Sequence, residues 1–355
     1  MSDDKKKSGS ETAKKILGAV AVTAGIGAGI YGATSLYNSF FGRYEKLDYK
    51  VNPGLYDYEK VKDKLNREEI SFYSDNVRLQ GYYYFVEGAK GLVVISHGLH
   101  AGGDDYLPIT MFFVKNGYDV FSFDYKGTYN SDGKSTVGMS ESLVDLNNAL
   151  NFIKSDNKFY GLKIFLVGHS WGGFATAAVL SLQKGISAAA CIAGFNSGYT
   201  LIREKGFQYG GELAANGIPK MFLDTYQKIL FKDYAKYDAV TGINAQSIPV
   251  LLAHGKKDFV IDFNLQSIVC HANEIRNPQV QYYIGEDEQS GHDSIWHSKN
   301  SVAYKKSVDK KIKEIKKNGT EEDLIKYCST IDDELYSEIN YELFNKILIM
   351  FNNVL

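Results

Sequence analysis

A serine stands in the middle of a short glycine-rich stretch, Gly168-His169-Ser170-Trp171-Gly172. An apolar run precedes this stretch and a helical pattern follows it, so the serine is predicted to lie at a strand-to-helix turn. Such a sharp turn strains the backbone and leaves room only for small neighbours, which explains the glycines on either side. The start of the following helix favours the negative charge that develops during attack on a carbonyl. We therefore predict Ser170 as the nucleophile of an acyl-transfer reaction.

A serine hydroxyl becomes an effective nucleophile only when a base removes its proton and a carboxylate orients that base. Asp258 follows one buried apolar run, and His292 follows the next. The chain order serine, acid, histidine is the order expected when the nucleophile lies on a strand-to-helix turn. We predict a triad of Ser170, Asp258 and His292. Three residues remain as alternatives for the acid or the base: Asp262, Asp293 and His297.

A second glycine-containing loop, beginning Ser96-His97-Gly98-Leu99, directly follows another apolar run. The tetrahedral intermediate of acyl transfer carries an oxyanion that needs two backbone N–H donors. One donor comes from the residue after the nucleophile and the other from the loop after the third strand. We therefore predict the amides of Trp171 and Leu99 as the oxyanion hole, with His97 and Gly98 allowing the loop to turn tightly.

Short apolar runs alternate with helical patterns along the chain. The predicted strands are residues 69–74, 77–86, 92–95, 120–123, 163–167, 188–193, 250–253 and 280–284. The predicted helices between them are residues 105–116, 140–153, 173–183 and 264–275. This alternation predicts an α/β fold with an eight-stranded, mostly parallel sheet and helices on both faces, which begins with an antiparallel hairpin.

The stretch from about residue 196 to 245 interrupts this alternation with helical patterns at 212–216 and 220–231. An insertion at this point is predicted to cover the site as a small helical lid, and a crossover helix with a long loop is the alternative. The main domain is predicted to span residues 65–355. It is expected to end with a Lys-rich helix at 304–317 and an amphipathic helix at 333–354.

The N-terminus differs in composition from the rest of the chain. Residues 1–15 form a polar tail with five lysines, and residues 16–42 contain no charged residue or histidine. A stretch of this length can cross about 30 Å of hydrocarbon as a helix. We predict a membrane anchor with the catalytic domain outside the cytoplasm, because the lysines favour a cytoplasmic N-terminus. A cleaved signal peptide, giving a secreted protein, and a soluble amphipathic tail are the alternatives.

Composition narrows the possible partners. The formal net charge is −2, so no global field favours nucleic acid. The three cysteines are an odd number and do not have the spacing of metal ligands. No cluster of histidines, cysteines or carboxylates has such a spacing either, so we expect no metal site. The expected partner is a small acyl substrate, and the oligomeric state stays open.

These motifs, together with Asp124-Tyr125-Lys126-Gly127-Thr128, resemble the α/β-hydrolase superfamily. The resemblance covers roughly residues 68–352. It is to the serine aminopeptidase-like branch, which includes monoacylglycerol lipase-like and bacterial membrane-anchored hydrolases. The fourth-strand motif of that branch is Asp-x-Arg-Gly-x-Gly-x-Ser; here Lys126 replaces the arginine and Tyr129 the second glycine, whereas Ser131 is retained. The resemblance implies an α/β-hydrolase fold, an acyl-serine intermediate and no cofactor.

Three functions stay open on these residues. A serine hydrolase that cleaves a carboxylic ester is favoured, because four motif elements occur in the required order. A serine peptidase or amidase uses the same triad, and Glu204 or Glu212 could then capture the amine of an aminopeptidase substrate. A catalytically silent binding protein on the same fold is the third possibility.

Overall fold

The structure, a computed structural model, describes residues 31–32, 34–35, 37–52, 58–204 and 218–355. The predicted tail at 1–15, the anchor up to residue 30 and the predicted helix at 212–216 lie outside the described residues. Within the described part of the chain, no helix combines the length and the apolar character needed to cross a membrane.

Eight strands form a single sheet in the described part of the chain, in the order β1-β2-β4-β3-β5-β6-β7-β8. The hairpin β1–β2 and the pair β2–β4 are antiparallel, and the remaining neighbours are parallel. The predicted eight-stranded, mostly parallel sheet is therefore confirmed. The strands are β1 Arg67–Ser74, β2 Val77–Tyr84, β3 Leu92–Ser96, β4 Asp119–Phe123, β5 Ile164–His169, β6 Ile186–Ile192, β7 Val250–Gly255 and β8 Val280–Gly285.

Alternate residues of the central strands enter two separate cores. On β3, Leu92 and Val94 join one buried cluster, whereas Val93 and Ile95 join the other. Because side chains of a strand alternate between the two faces, a continuous apolar run must be covered on both sides. Helices supply this cover, and the strands' carboxyl ends stay free for the functional loops.

The helices of the described chain lie on both faces of the sheet. Those that carry buried residues of the first cluster are α2, α3 and α5, and those of the second are α1 and α9. Residues 37–40 and 198–204 are also helical. The helices are α1 Leu107–Lys115, α2 Glu141–Ser155, α3 Trp171–Ala178, α4 Ile218–Phe231, α5 Ala239–Asn244, α6 Lys299–Asn318, α7 Glu321–Cys328, α8 Asp333–Tyr336 and α9 Tyr341–Asn352.

Two predicted helices are wrong. Residues 264–275 form turns and a short 3₁₀ segment. The Asp262 carboxylate caps the first turn by accepting the amides of Asn264 and Leu265. A longer helix does not follow, because the chain pairs with the segment after β6: the Asn196 amide donates to the Gln266 carbonyl oxygen, and the Ile268 amide donates to that of Gly194. The predicted helix at 333–354 is broken into α8 and α9, since the intervening residues pair with the chain near Trp296. The amide of Asn340 donates to the carbonyl of Trp296, and its side chain caps α9.

The carboxyl end of the uncharged N-terminal stretch packs against the sheet domain. Tyr37 and Phe41 are buried in the first core cluster. Gly42 forms a bridge with Ser135, and Tyr44 forms one with Thr128. We call residues 37–44 the N-terminal strap.

Candidate active site

Ser170 occupies a strained turn between β5 and α3. Its φ of 56° and ψ of −115° lie outside the regions that a residue with a side chain adopts freely. The two glycines are required by space: a Cβ on Gly168 would lie 2.2 Å from the Gly172 carbonyl oxygen, and one on Gly172 would lie 2.0 Å from that of Ser96. The predicted turn is therefore present, and it leaves the serine side chain partly exposed.

The structure brings the three predicted triad residues together. The Ser170 hydroxyl lies 2.8 Å from Nε2 of His292. Nδ1 of the same ring lies 2.7 Å from a carboxylate oxygen of Asp258. If Nδ1 carries the proton and donates to the carboxylate, Nε2 is free to accept the serine proton. This is the arrangement of a nucleophile, a base and an orienting acid.

Asp258 is held as a charged acceptor. Burial alone would raise its pKa, but hydrogen bonds from His254 and His292 and from the Ile261 amide outweigh burial and hold the pKa well below its usual range. One carboxylate oxygen accepts the amides of Val260 and Ile261, both at 2.8 Å. A buried carboxylate with this many donors stays ionised and fixes the imidazole of the base.

His254 is a functional neighbour that sequence reasoning missed. Its Nε2 lies 3.1 Å from the Asp258 carboxylate and 2.9 Å from the Ile261 carbonyl oxygen. It is the penultimate residue of strand β7, four residues before the acid, and its side chain is almost fully buried. The only signal available in the sequence is a histidine at the end of a buried strand, which by itself does not identify a partner.

His169, beside the nucleophile, links two loops of the site. Its Nδ1 accepts the Tyr106 hydroxyl at 2.8 Å, and its Nε2 lies 3.2 Å from the His292 carbonyl oxygen. Burial and the nearby His292 lower the pKa of His169 to about 4, so the ring is neutral near pH 7. Its place in the motif predicts only a spacer, but the structure shows that it supports the backbone of the base.

The alternative acids and base do not contact Ser170. The Asp262 carboxylate caps the turn described above, and the Asp293 side chain is mostly exposed. His297 is buried, with Nδ1 bonded to the Asp293 carbonyl oxygen and Nε2 beside the Lys305 ammonium. Asp262 and His297 therefore have other structural roles, and the Asp293 carboxylate lies 3.7 Å from Nε2 of His169.

The second glycine-containing loop reaches the nucleophile turn. His97 Nδ1 donates to the Gly98 carbonyl oxygen at 2.7 Å, and Nε2 accepts the Tyr125 amide at 3.0 Å. Burial lowers the pKa of His97 to about 3, which keeps the ring neutral for both bonds. Among the described residues, neither the Leu99 nor the Trp171 amide donates to a protein acceptor. Both amides therefore stay candidates for the oxyanion hole.

The fourth-strand motif keeps its turn despite its two departures. The Lys126 ammonium pairs with the buried Glu141 carboxylate, and the Lys126 amide donates to Asp145 at 2.8 Å. Tyr129 has a φ of 40°, a left-handed conformation that favours glycine. Its hydroxyl donates to Asp105 at 2.7 Å.

One group of three potential metal ligands occurs among the residues that the structure describes: His169, His292 and Asp293. The two ring nitrogens of His292 already face Ser170 and Asp258. His169 is bonded to the Tyr106 hydroxyl and lies beside the His292 carbonyl oxygen, so both histidines of this group already have protein partners.

Comparisons with known proteins agree with this fold. The sequence model of the serine aminopeptidase S33 family matches residues 87–203, which include Ser170 and the loop after β3. The uncharacterised protein YfhR of Escherichia coli O157:H7 is 26% identical over 221 residues, 59% of this chain and 70% of that protein. The quorum-quenching protein AidA of Acinetobacter baumannii is 27% identical over 139 residues, 37% of this chain and 45% of that protein.

Solved structures show the same architecture. The esterase Pf2001 of Pyrococcus furiosus superposes with a TM-score of 0.53 at 18% identity, covering 78% of this chain and 98% of the esterase. Another crystal form of that esterase gives a TM-score of 0.53 at 17% identity, covering 78% of this chain and 96% of the esterase. The chain has the α/β-hydrolase fold. The family-model match and this fold together support a hydrolase.

Proposed function

We propose that this protein is a serine hydrolase that cleaves a carboxylic ester through an acyl-serine intermediate. The observation that carries the proposal is the continuous hydrogen-bonded relay from Ser170 through His292 to Asp258. The relay ends at a partly exposed serine, and within the described part of the chain the two predicted oxyanion amides have no protein acceptor.

The geometry supports a two-step reaction. Ser170 Oγ attacks the ester carbonyl carbon while His292 Nε2 takes the serine proton. The amides of Leu99 and Trp171 stabilise the oxyanion of the tetrahedral intermediate. The C–O bond to the leaving group then breaks, and the imidazolium protonates the departing alkoxide to give the alcohol. Water, deprotonated by His292, hydrolyses the acyl-serine to the free acid and regenerates the hydroxyl.

A fluorophosphonate probe tests this proposal, because it phosphonylates only an activated serine. Wild type is expected to become labelled, whereas Ser170→Ala, which keeps the fold, is expected to stay unlabelled. Unlabelled wild type would favour a silent binding protein, and equal labelling of the variant would place the reactive serine elsewhere.

A peptidase or amidase is the second candidate. The matching family model is that of a serine aminopeptidase. In addition, Glu204 has one buried carboxylate oxygen without a hydrogen-bond partner among the described residues. Burial raises the pKa of Glu204, and a substrate ammonium beside it would offset that effect. The other candidate, Glu212, lies outside the described residues.

Two substrate series distinguish these functions. p-Nitrophenyl esters of graded acyl length are expected to be hydrolysed with a higher kcat/KM than aminoacyl p-nitroanilides. Faster cleavage of the anilides, together with a large rise in KM for Glu204→Gln, would instead assign an aminopeptidase.

We also propose that the N-terminal stretch tethers the protein to a membrane, with the catalytic domain outside the cytoplasm. Because the strap packs on the domain, residues 16–36 remain for an anchor, and these 21 residues are close to the length that a bilayer requires. Full-length protein is expected in the membrane fraction, and a variant lacking residues 16–36 in the soluble fraction. Equal partition of the two would contradict the proposal.

A further inference from the structure

We propose that the N-terminal strap is a positioning element for the oxyanion hole: it holds the loop that carries the Leu99 amide and the side chain of Trp171, and thereby sets the rate of the chemical step. This inference rests on the proposed function. It concerns a segment that lies outside the range matched by the family model and before the first strand of the sheet.

The carboxyl end of the strap is joined to the loop after β4. The Tyr44 amide donates to the Gly127 carbonyl oxygen at 2.9 Å, and the Tyr44 carbonyl oxygen accepts the Tyr129 amide at 2.9 Å. The Arg43 guanidinium donates to three carbonyl oxygens of this loop, those of Tyr129, Ser131 and Gly133, at 2.7 to 3.0 Å. The Thr136 amide also donates to the Phe41 carbonyl oxygen at 2.9 Å, so residues 41–44 of the strap are fixed on this loop.

The first contact with the oxyanion hole is made through His100, the residue that follows Leu99. Its Nε2 donates to the Phe40 carbonyl oxygen at 2.9 Å. Its ring stacks against Tyr44, with the ring centroids 5.1 Å apart. His100 has a φ of 62°, a conformation that costs a non-glycine residue energy and that needs such support to persist. The strap therefore restrains the backbone immediately after the first predicted donor.

The second contact is made through Trp171, which carries the other donor. The Phe41 ring is buried, and its centroid lies 6.2 Å from that of the Trp171 indole. The indole N–H donates to the Met139 carbonyl oxygen at 2.6 Å, and the Met139 amide donates to the Tyr37 hydroxyl at 3.0 Å. Two strap residues thus hold the side chain of Trp171, whose amide is the second predicted oxyanion donor.

This arrangement predicts which kinetic constant the strap controls. Oxyanion donors bind the substrate more strongly in the transition state than in the ground state, so a displaced donor lowers kcat and leaves KM nearly unchanged. Removing one donor outright lowers kcat by about 10²- to 10³-fold in enzymes of this kind. When a donor stays in place but loses its support, we expect kcat to fall about 10-fold or more.

The test compares full-length variants on one p-nitrophenyl ester. His100→Ala removes both the hydrogen bond to Phe40 and the ring stack. His100→Phe keeps a ring but loses the hydrogen bond, and Phe41→Leu reduces contact with Trp171. Tyr31→Ala is the matched control, because Tyr31 is an exposed aromatic residue of the same N-terminal segment outside the strap.

We expect kcat to fall about 10-fold or more for His100→Ala and less for His100→Phe, with KM unchanged and Tyr31→Ala like wild type. The affinity for a trifluoromethyl ketone, which forms an oxyanion on the serine, should fall in proportion to kcat/KM across the series. Unchanged kcat in His100→Ala and Phe41→Leu, or a loss confined to KM, would overturn the inference. The inference would also be overturned if kcat fell only in variants with a lower unfolding temperature and the ketone still bound as tightly as to wild type. Labelling of wild type by the fluorophosphonate probe, together with its hydrolysis of the p-nitrophenyl ester, shows that the proposed function stands in any of these cases.

Discussion

The strained backbone at Ser170 predicts that, of two inactive variants, Ser170→Gly is more stable than Ser170→Ala. A residue held at a φ of 56° and a ψ of −115° costs about 1–3 kcal/mol. Ser170→Gly removes this strain but adds flexibility to the unfolded chain, which costs about 0.4–1 kcal/mol. Ser170→Ala loses the same hydrogen bond to His292 and keeps the strain. Ser170→Gly is therefore expected to be about 0.5–2 kcal/mol more stable than Ser170→Ala.

Denaturant unfolding followed by intrinsic fluorescence measures this difference. In a thermal scan, the same difference corresponds to about 1–3 °C for a chain of this size. Gly161→Ala calibrates the effect, because Gly161 has a φ of 83° and a Cβ added there would meet no atom within 4 Å. The free energy of unfolding of this control should fall by about 1–2 kcal/mol, because alanine pays the backbone cost of a left-handed conformation. If Gly161→Ala is destabilised as expected but Ser170→Gly unfolds no later than Ser170→Ala, the turn is not strained and the reasoning fails.

Three further predictions concern the hydrogen bonds of the site. Asp258→Asn should lower kcat about 10³- to 10⁴-fold with little change in KM, measured with a p-nitrophenyl ester, because the amide can favour the wrong tautomer of His292; activity near that of wild type would exclude Asp258 as the acid. His254→Phe should lower kcat by about 10-fold, since it removes one donor from the Asp258 carboxylate; an unchanged kcat would show that the other donors suffice. His97 should make the protein sensitive to acid: its pKa is about 3 in the folded state and about 6.5 unfolded, so below pH 6.5 the unfolded state binds the proton first and stability falls with pH. The loss is about 2 kcal/mol at pH 5, and His97→Gln should flatten the slope of unfolding free energy between pH 7 and 5; equal slopes would contradict this assignment.

The central strands and the nucleophile turn can be predicted from local patterns. A run such as Leu92–Ser96 is apolar at nearly every position, because both faces of a parallel strand are covered. The glycines around Ser170 are likewise required by contacts within a few residues of the turn or with the adjacent strand. The order of acid and base then follows from the order of the strands.

Contacts between distant parts of the chain decide the remaining features. Residues 264–275 have a helical pattern, but side-chain caps and pairing with the chain after β6 replace the helix by turns. The break between α8 and α9 likewise depends on Trp296, more than 40 residues away. No local periodicity encodes such partners, because hydrogen bonds across the fold can override helix propensity.

The sequence by itself determined which residues could carry out acyl transfer, because a serine, a histidine and a carboxylate are residue types whose order follows the strands. Only the tertiary structure decided what surrounds them. It placed His254 against Asp258 and the N-terminal strap against His100 and Trp171. These partners are far apart in the chain or carry no motif, and folding alone brings their polar groups within hydrogen-bonding distance.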